Sequence, residues 1–183
     1  MAATKTTNAI PLRQRPLDFF YFIYFVLHTF VSVLIDSAGV IPAESRPWFQ
    51  QVVLKIQIEQ NKDPLLRDVP SWLWVFLVVE LLFQVPVFIV GAWSLKKNAK
   101  KIYPLLLVYG VNASITTLAC LAELAWHADL TEDERSNLLL IYLPTFLIPL
   151  VMGVDMFFRI GKWIAPSDDN DNQDRTIESK KRL

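Results

Sequence analysis

The stretch from Trp72 to Trp93, WLWVFLVVELLFQVPVFIVGAW, constrains the fold more than any other part of the chain, because its 22 residues are almost all apolar and enclose one acid. As an α-helix it runs ~33 Å, enough to cross a hydrocarbon core of ~30 Å. Trp72, Trp74 and Trp93 bracket it in the manner of interfacial anchors. Glu80 then lies about 12 Å in from Trp72 at the helical rise. An ionisable group at that depth is expensive and usually serves a site. Gln84 follows one helical turn later, on the same face. Pro86 removes a backbone donor and is expected to kink the helix. Lipid satisfies none of these groups, so the pattern predicts a polar seam facing other protein.

Three further apolar runs complete the spans. The expected helices cover about 17–35, 72–93, 103–126 and 138–158, and they predict an all-α membrane protein built as a four-helix bundle. In 183 residues the hydrophobic fraction is 53% and the formal net charge is zero, so no global charge points to nucleic acid. Cys120 is the one cysteine, which excludes an internal disulfide. His28 and His127 have no partner at ligand spacing, and no metal or cofactor is expected. Phosphate loops, nucleophile elbows and zinc-protease helices are absent from the sequence.

The segments between the spans carry their own signals. Residues 1–16 read as a disordered cytosolic tail, 17–160 as the membrane domain, and 161–183 as a second disordered cytosolic tail. Between Ser37 and Ser71 the connection is too long for a bare loop. Ser45 is a candidate cap there, and Trp48, Phe49, Val52, Val53 and Ile56 form an amphipathic stripe, predicting a short interfacial helix in the first lumenal loop. Leu54 to Gln60 also alternates like a strand. Asp63-Pro64 is an N-cap followed by proline at the first helical position. Thr131 and Glu134 form a capping box ahead of the fourth span. Lys96, Lys97, Lys100 and Lys101 make the second loop basic, and thirteen of the 18 Lys and Arg fall in that loop and the two tails. Both termini are therefore expected in the cytosol. Lys180 and Lys181 stand third and fourth from the end, as in a dilysine retrieval signal of the endoplasmic reticulum.

With that topology, several polar groups fall in one half of the bilayer. His28, Ser32 and Asp36 are spaced four and four along the first helix. His28 lies about 12 Å below Asp36, and Thr116 and Thr117 lie about 15 and 14 Å below Trp126. Tyr142 enters with the fourth helix. A pocket in the lumenal half follows, with Asp36 and Glu80 as its natural pair. Two carboxylates in a low-dielectric cavity cannot both ionise cheaply, so one is expected to hold a proton. Such a site suits an amphipathic ligand with an amine or a hydroxyl. Competing structural roles stay open: Glu80 tying two helices together, His28 as a satisfied core residue, and the threonines bonded to their own helix. Asp18, Glu123 and Asp155 are expected near the interfaces.

These residues carry a resemblance. His28 and Asp36 in YFVLHTFVSVLID, then Val40-Ile41-Pro42, Lys62-Asp63-Pro64-Leu65-Leu66, ELLFQVPVF from Glu80 to Phe88, Tyr142-x-Pro144 and Leu147-Ile148-Pro149 resemble the sigma-2 receptor family, four-helix membrane proteins of the EXPERA group. The resemblance implies a pocket opening to the membrane, with Asp36 pairing with a ligand amine and Glu80 hydrogen-bonded to Asp36. Gln84, His28, Thr116, Thr117, Tyr142 and Asp63 complete the ligand-binding set expected here. It also implies sterol or oxysterol binding, cholesterol homeostasis and residence in the endoplasmic reticulum. Thr145 stands where an aromatic is expected, and Asn112 where a histidine is expected. The reading is a non-enzymatic binding protein for sterol-like or cationic amphiphilic lipids, with membrane lipids around it and no nucleic-acid partner. A homodimer and membrane-protein partners stay open. A sterol double-bond isomerase is the runner-up, since a proton-sharing acid pair suits that chemistry, and an adaptor or chaperone-like membrane factor is the third.

Overall fold

The computed structural model describes residues 10–164. The ends of the chain, including Lys180 and Lys181 and most of both tails, lie outside the described residues. Four helical segments, Pro16–Gly39, Ser71–Lys96, Lys100–Trp126 and Glu132–Ile164, are long and apolar enough to cross a membrane. The chain is a multi-pass membrane protein with an all-α fold. In chain order the helices are α1 (Pro16–Leu34), α2 (Trp48–Glu59), α3 (Pro64–Asp68), α4 (Ser71–Val79), α5 (Val85–Lys96), α6 (Tyr103–Trp126) and α7 (Glu132–Ile164). α4 and α5 are two parts of the second span.

A π-helical turn, Glu80–Gln84, joins those two parts. It follows from Pro86, which has no N–H to offer the preceding turn and whose ring crowds it. The ladder widens instead, and the Val85 N–H reaches the Glu80 carbonyl. One extra residue in the turn swings Gln84 off the face that Glu80 occupies. The single shared face expected from regular helical spacing is therefore not what forms.

Inside a membrane, helices associate through close packing and polar contacts, because lipid is as apolar as the helix faces. α6 and α7 meet at Gly110 and Gly153, where a Cβ on Gly110 would lie 2.6 Å from the Pro149 carbonyl oxygen and 2.7 Å from the Gly153 Cα. Only a residue without a side chain allows that approach. α1, α5 and α6 meet around Phe25, Phe88 and Tyr109, whose ring centroids are 5.4–5.7 Å apart. Stacked and edge-to-face aromatic pairs of this kind contribute about 0.5–1.5 kcal/mol each.

A buried ion cluster ties the bundle at the Asp18 end. Asp18 is only 3% exposed. It pairs with Arg15 one turn before it and with Arg159 of α7, whose Nη1 lies 2.6 Å from its Oδ1. Arg159 also bonds Asp155 at 3.0 Å, and Arg15 donates to the Leu95 carbonyl at 2.6 Å. Asp18, expected near an interface, stands in the first turn of its span and is buried in this cluster. Asp18 draws one partner from the preceding turn and one from α7, whereas Asp155 pairs with Arg159 one turn along its own helix.

At the other end, the connection from the first span to the second folds back over the bundle. α2 does form, but Pro47 rather than Ser45 occupies its N-cap position. Its inward residues are Gln50 and Leu54, both buried. Gln50 Nε2 donates to the Val33 carbonyl at 3.0 Å and to Ser37 Oγ at 2.6 Å, pinning α2 to the end of α1. Trp48, Phe49, Val52 and Ile56, the apolar stripe, point away from the bundle and are exposed. α3 then starts at Asp63, whose Oδ1 accepts from the backbone of Leu65 at 2.9 Å and of Leu66 at 3.3 Å. The Asp-Pro pair thus acts as the sequence predicts. Val69 ends α3 at φ 36°, a left-handed conformation that a β-branched residue rarely adopts, and Pro70 turns the chain into α4.

Candidate ligand site

The site begins at the end of α1. His28, Ser32 and Asp36 recur at one-turn spacing and face the second span, because α1 packs along that span. The Ser32 hydroxyl, fully buried, donates to Glu80 Oε1 at 2.5 Å. His28 Nε2 lies 3.9 Å from the same carboxylate oxygen. The His28 ring stacks on Tyr24 at 5.0 Å and meets the edge of Phe88 at 5.3 Å, so its plane is fixed. Asp36 comes one turn after Ser32 and lines the same cavity as Glu80 and His28. Two carboxyl groups from successive spans therefore share one pocket of side chains.

They open onto a cavity of about 130 Å³. Its polar wall includes His28, Asp36, Glu80, Thr116, Thr117 and Tyr142, six of the eight residues predicted for ligand contact. Gln57, Cys120 and Thr145 also line it, and Ile35, Leu66, Leu73, Phe76, Leu77 and Ile141 supply apolar surface. Gln57 and Leu66 show that α2 and α3 close one end.

Two predicted residues lie outside the lining. Gln84, carried off by the π-helical turn, donates to Asn112 Oδ1 at 3.1 Å and joins the second span to the third beneath the cavity. Asp63 sits behind the wall, where its Oδ2 accepts from the Tyr142 hydroxyl at 2.8 Å. Burial pushes the Asp63 carboxyl up from its ordinary range, while the bonds from Tyr142, Leu66 and Leu65 pull it down. Asp63 acts on the cavity only by holding Tyr142.

Both threonines reach the cavity, with different hydroxyls on offer. Thr116 Oγ1 donates to the carbonyls of Asn112 and Ala113 at 3.2 and 3.1 Å, so its own helix uses it. Thr145 likewise donates to the Tyr142 carbonyl at 2.7 Å. Sequence reasoning left out Ser32, Gln57 and Cys120, while Thr145 stands in the lining at the position where the resemblance implies an aromatic pocket residue. Ser32 had a signal, since it lies midway between His28 and Asp36 in the same stripe; Gln57 had none, because only the fold-back of α2 brings it here.

The chemistry on offer is recognition of a polar head. A cation placed between Asp36 and Glu80 meets two acceptors, and a hydroxyl there meets acceptors and the Tyr142 and Ser32 hydroxyls.

Comparison with known proteins places this arrangement. The family profile described as "EBP: EXPERA (EXPanded EBP superfamily)" matches residues 48–156. The chain is 35% identical over 147 residues to the Saccharomyces cerevisiae protein named "Efficient mitochondria targeting-associated protein 19", covering 72% of this chain and 91% of that one. It is 28% identical over 158 residues to "Sigma intracellular receptor 2" of Homo sapiens, covering 80% of this chain and 90% of the relative. The Schizosaccharomyces pombe protein named "Efficient mitochondria targeting-associated protein 19" is 28% identical over 155 residues, covering 84% and 81%. With the profile spanning more than half of its length and these relatives covering 72% or more of it, the chain belongs to the EXPERA family and is related to sigma intracellular receptor 2.

Proposed function

We propose that this protein binds sterol-like or cationic amphiphilic lipids and serves in sterol homeostasis or trafficking as a binding protein, not as an enzyme. The carrying observation is the shared environment of Asp36 and Glu80: acids from two successive spans border one cavity, with Ser32 and His28 held against Glu80. A half-buried acid pair favours an amine or hydroxyl head over an anion, and the Leu, Ile and Phe walls favour an apolar body. At about 130 Å³ the cavity takes the head and the adjoining carbons of such a ligand. A whole sterol-sized body, suited to pockets of about 300–1,000 Å³, requires the walls to part toward the bilayer.

The test is binding of a tertiary-amine amphiphile to the purified protein and to Asp36→Asn. The neutral amide removes the charge that faces the amine, and charge-assisted hydrogen bonds are worth about 1.5–3 kcal/mol, so affinity should fall by at least about tenfold. Unchanged affinity in a folded variant rules the site out. Turnover of a sterol with a misplaced ring double bond would replace the binding reading by an isomerase reading, in which the same acids move a proton.

Location belongs to this proposal. The protein resides in the endoplasmic reticulum with both termini in the cytosol, on the strength of the basic second loop and the Lys180-Lys181 ending. In that setting α2 lies in the interface, with Trp48, Phe49, Val52 and Ile56 in lipid. Exchanging Lys180 and Lys181 for serine should move the protein out of that compartment; unchanged location speaks against the retrieval signal. A second reading rests on the yeast relative, whose name ties it to efficient mitochondria targeting. Under it the chain is a membrane factor that assists protein targeting, and slowed delivery of mitochondrial precursors in cells lacking it is the corresponding readout.

A further inference from the structure

A second recess lies apart from the acid-lined cavity, between the start of α4 and the end of α6. Trp72, Ala119, Ala122, Glu123 and Trp126 line it, and its volume is about 560 Å³. Ala119, Ala122, Glu123 and Trp126 recur at three- and four-residue spacing, so α6 presents them on one face. The two alanines are small, and they leave a hollow flanked by two indoles. Phe76 meets the Trp72 ring at 5.7 Å and 71°, which holds that indole in place. Trp126 is 82% exposed. Glu123 is also exposed and takes part in none of the ion pairs among the described residues.

Two indoles and a carboxylate outside every described ion pair, set around a hollow of small residues, suit a cation with an apolar shell. Aromatic faces attract quaternary ammonium through their quadrupole, and the carboxylate adds charge without needing a hydrogen bond in return. A primary ammonium is more strongly hydrated and gains less from indole. Anions are repelled by Glu123. Both tryptophans stand at the ends of spans, the depth at which lipid headgroups lie. We propose that this recess binds the trimethylammonium group of a choline lipid from the leaflet at that end of the bundle. The inference is independent of the reading of the Asp36 and Glu80 cavity.

The test uses the full chain in mild detergent and native mass spectrometry with phosphatidylcholine and phosphatidylethanolamine of identical acyl chains. Phosphatidylcholine should be retained about tenfold more than phosphatidylethanolamine, in the range expected of a cation held by aromatic faces. Glu123→Gln and Trp126→Leu should each reduce that ratio toward one, and Trp93→Leu, at the opposite end of the bundle, should leave it unchanged. Glu123 and Trp126 are exposed, so the variants should keep the melting temperature of the parent chain, which is measured alongside. Equal retention of the two lipids overturns the proposal, as does an unchanged ratio in both variants. Displacement of phosphatidylcholine by an equal concentration of free choline would assign the recess to a soluble cation and overturn it equally.

Discussion

Ser32 and Glu80 meet through a 2.5 Å hydrogen bond that joins the first span to the second at the point where the second span widens into a π-helical turn. The contact places a carboxylate where the helix ladder is already loosened. It also explains why His28, Ser32 and Asp36, one turn apart, all bear on the same acid. π-helical turns recur at functional sites because they re-aim a side chain that a regular helix would point elsewhere.

Removing the Ser32 hydroxyl separates support from recognition. Ser32→Ala leaves a Glu80 oxygen without its donor and should lower stability by about 1–3 kcal/mol, the usual consequence of an unsatisfied buried group. Thermal melting in detergent checks this. Ligand binding should weaken less than in Asp36→Asn, because the charge facing the amine stays. A binding loss as large as that of Asp36→Asn would mean that Ser32 itself contacts ligand.

Glu80→Gln keeps the shape of the side chain and removes its capacity for charge. If Glu80 supports Asp36, the amide should still accept from Ser32, and affinity for a cationic amphiphile should drop by a smaller factor than in Asp36→Asn. Isothermal titration of both variants with one ligand gives the comparison. The reverse order would make Glu80 the residue that faces the amine.

Tyr142→Phe tests the link from the fourth span to the folded-back connection. The change removes the donor at 2.8 Å from Asp63 while leaving the N-cap bonds to Leu65 and Leu66. Hydrogen bonds to charged groups contribute about 1.5–3 kcal/mol, so α3 should loosen by that order over the cavity. Faster hydrogen exchange across residues 60–70, with the rest of the chain unchanged, is the expected outcome. Unaltered exchange there would show that the Asp63 cap alone holds the cover.

The spans and the acid pair were legible because membrane insertion leaves so few options: long apolar runs must be helices, and an acid 12 Å deep by the helical rise must face protein. Asp63 was legible as an N-cap since that chemistry is local. Gln84 was not, because the widened turn that diverts it to Asn112 has no marker beyond Pro86. Asp18 was not, because Arg159, which helps to bury it, lies 141 residues away. The apolar stripe of α2 was legible as a helical pattern, and the side it faces, away from the bundle, was not. In a membrane protein an apolar face has lipid as an alternative partner, and Gln50, tied to Val33 and Ser37, sets the orientation instead.

Gly110 and Gly153 face each other but differ in what they tolerate. A Cβ at Gly110 would fall 2.6–2.8 Å from backbone atoms of Pro149 and Gly153, which cannot give way, whereas one at Gly153 would sit at 3.5 Å or more. Gly110→Ala should therefore push α6 from α7 and cost about 1–3 kcal/mol, as overpacking does. Gly153→Ala should change stability little. Equal melting temperatures for the two variants would contradict the asymmetry.

Asp18 offers the sharpest electrostatic test, because it alone stands between Arg15 and Arg159 and is almost wholly buried. Asp18→Asn leaves Arg15 without an acidic partner among the described residues and leaves Arg159 with Asp155 alone. Breaking a buried ion pair from one side costs about 3–5 kcal/mol, since the remaining charge is left without compensation. Adding Arg15→Met should restore part of that loss, because Asp18 is the one acid that Arg15 pairs with among the described residues and the thioether chain fills part of its space. Melting temperatures of the two single variants and the double variant measure the coupling directly. The cluster lies at the opposite end of the bundle from the acid-lined cavity, so ligand affinity in whatever fraction remains folded should match that of the parent chain. A loss of affinity without a loss of stability would mean that the two ends of the bundle communicate, which simple packing does not predict.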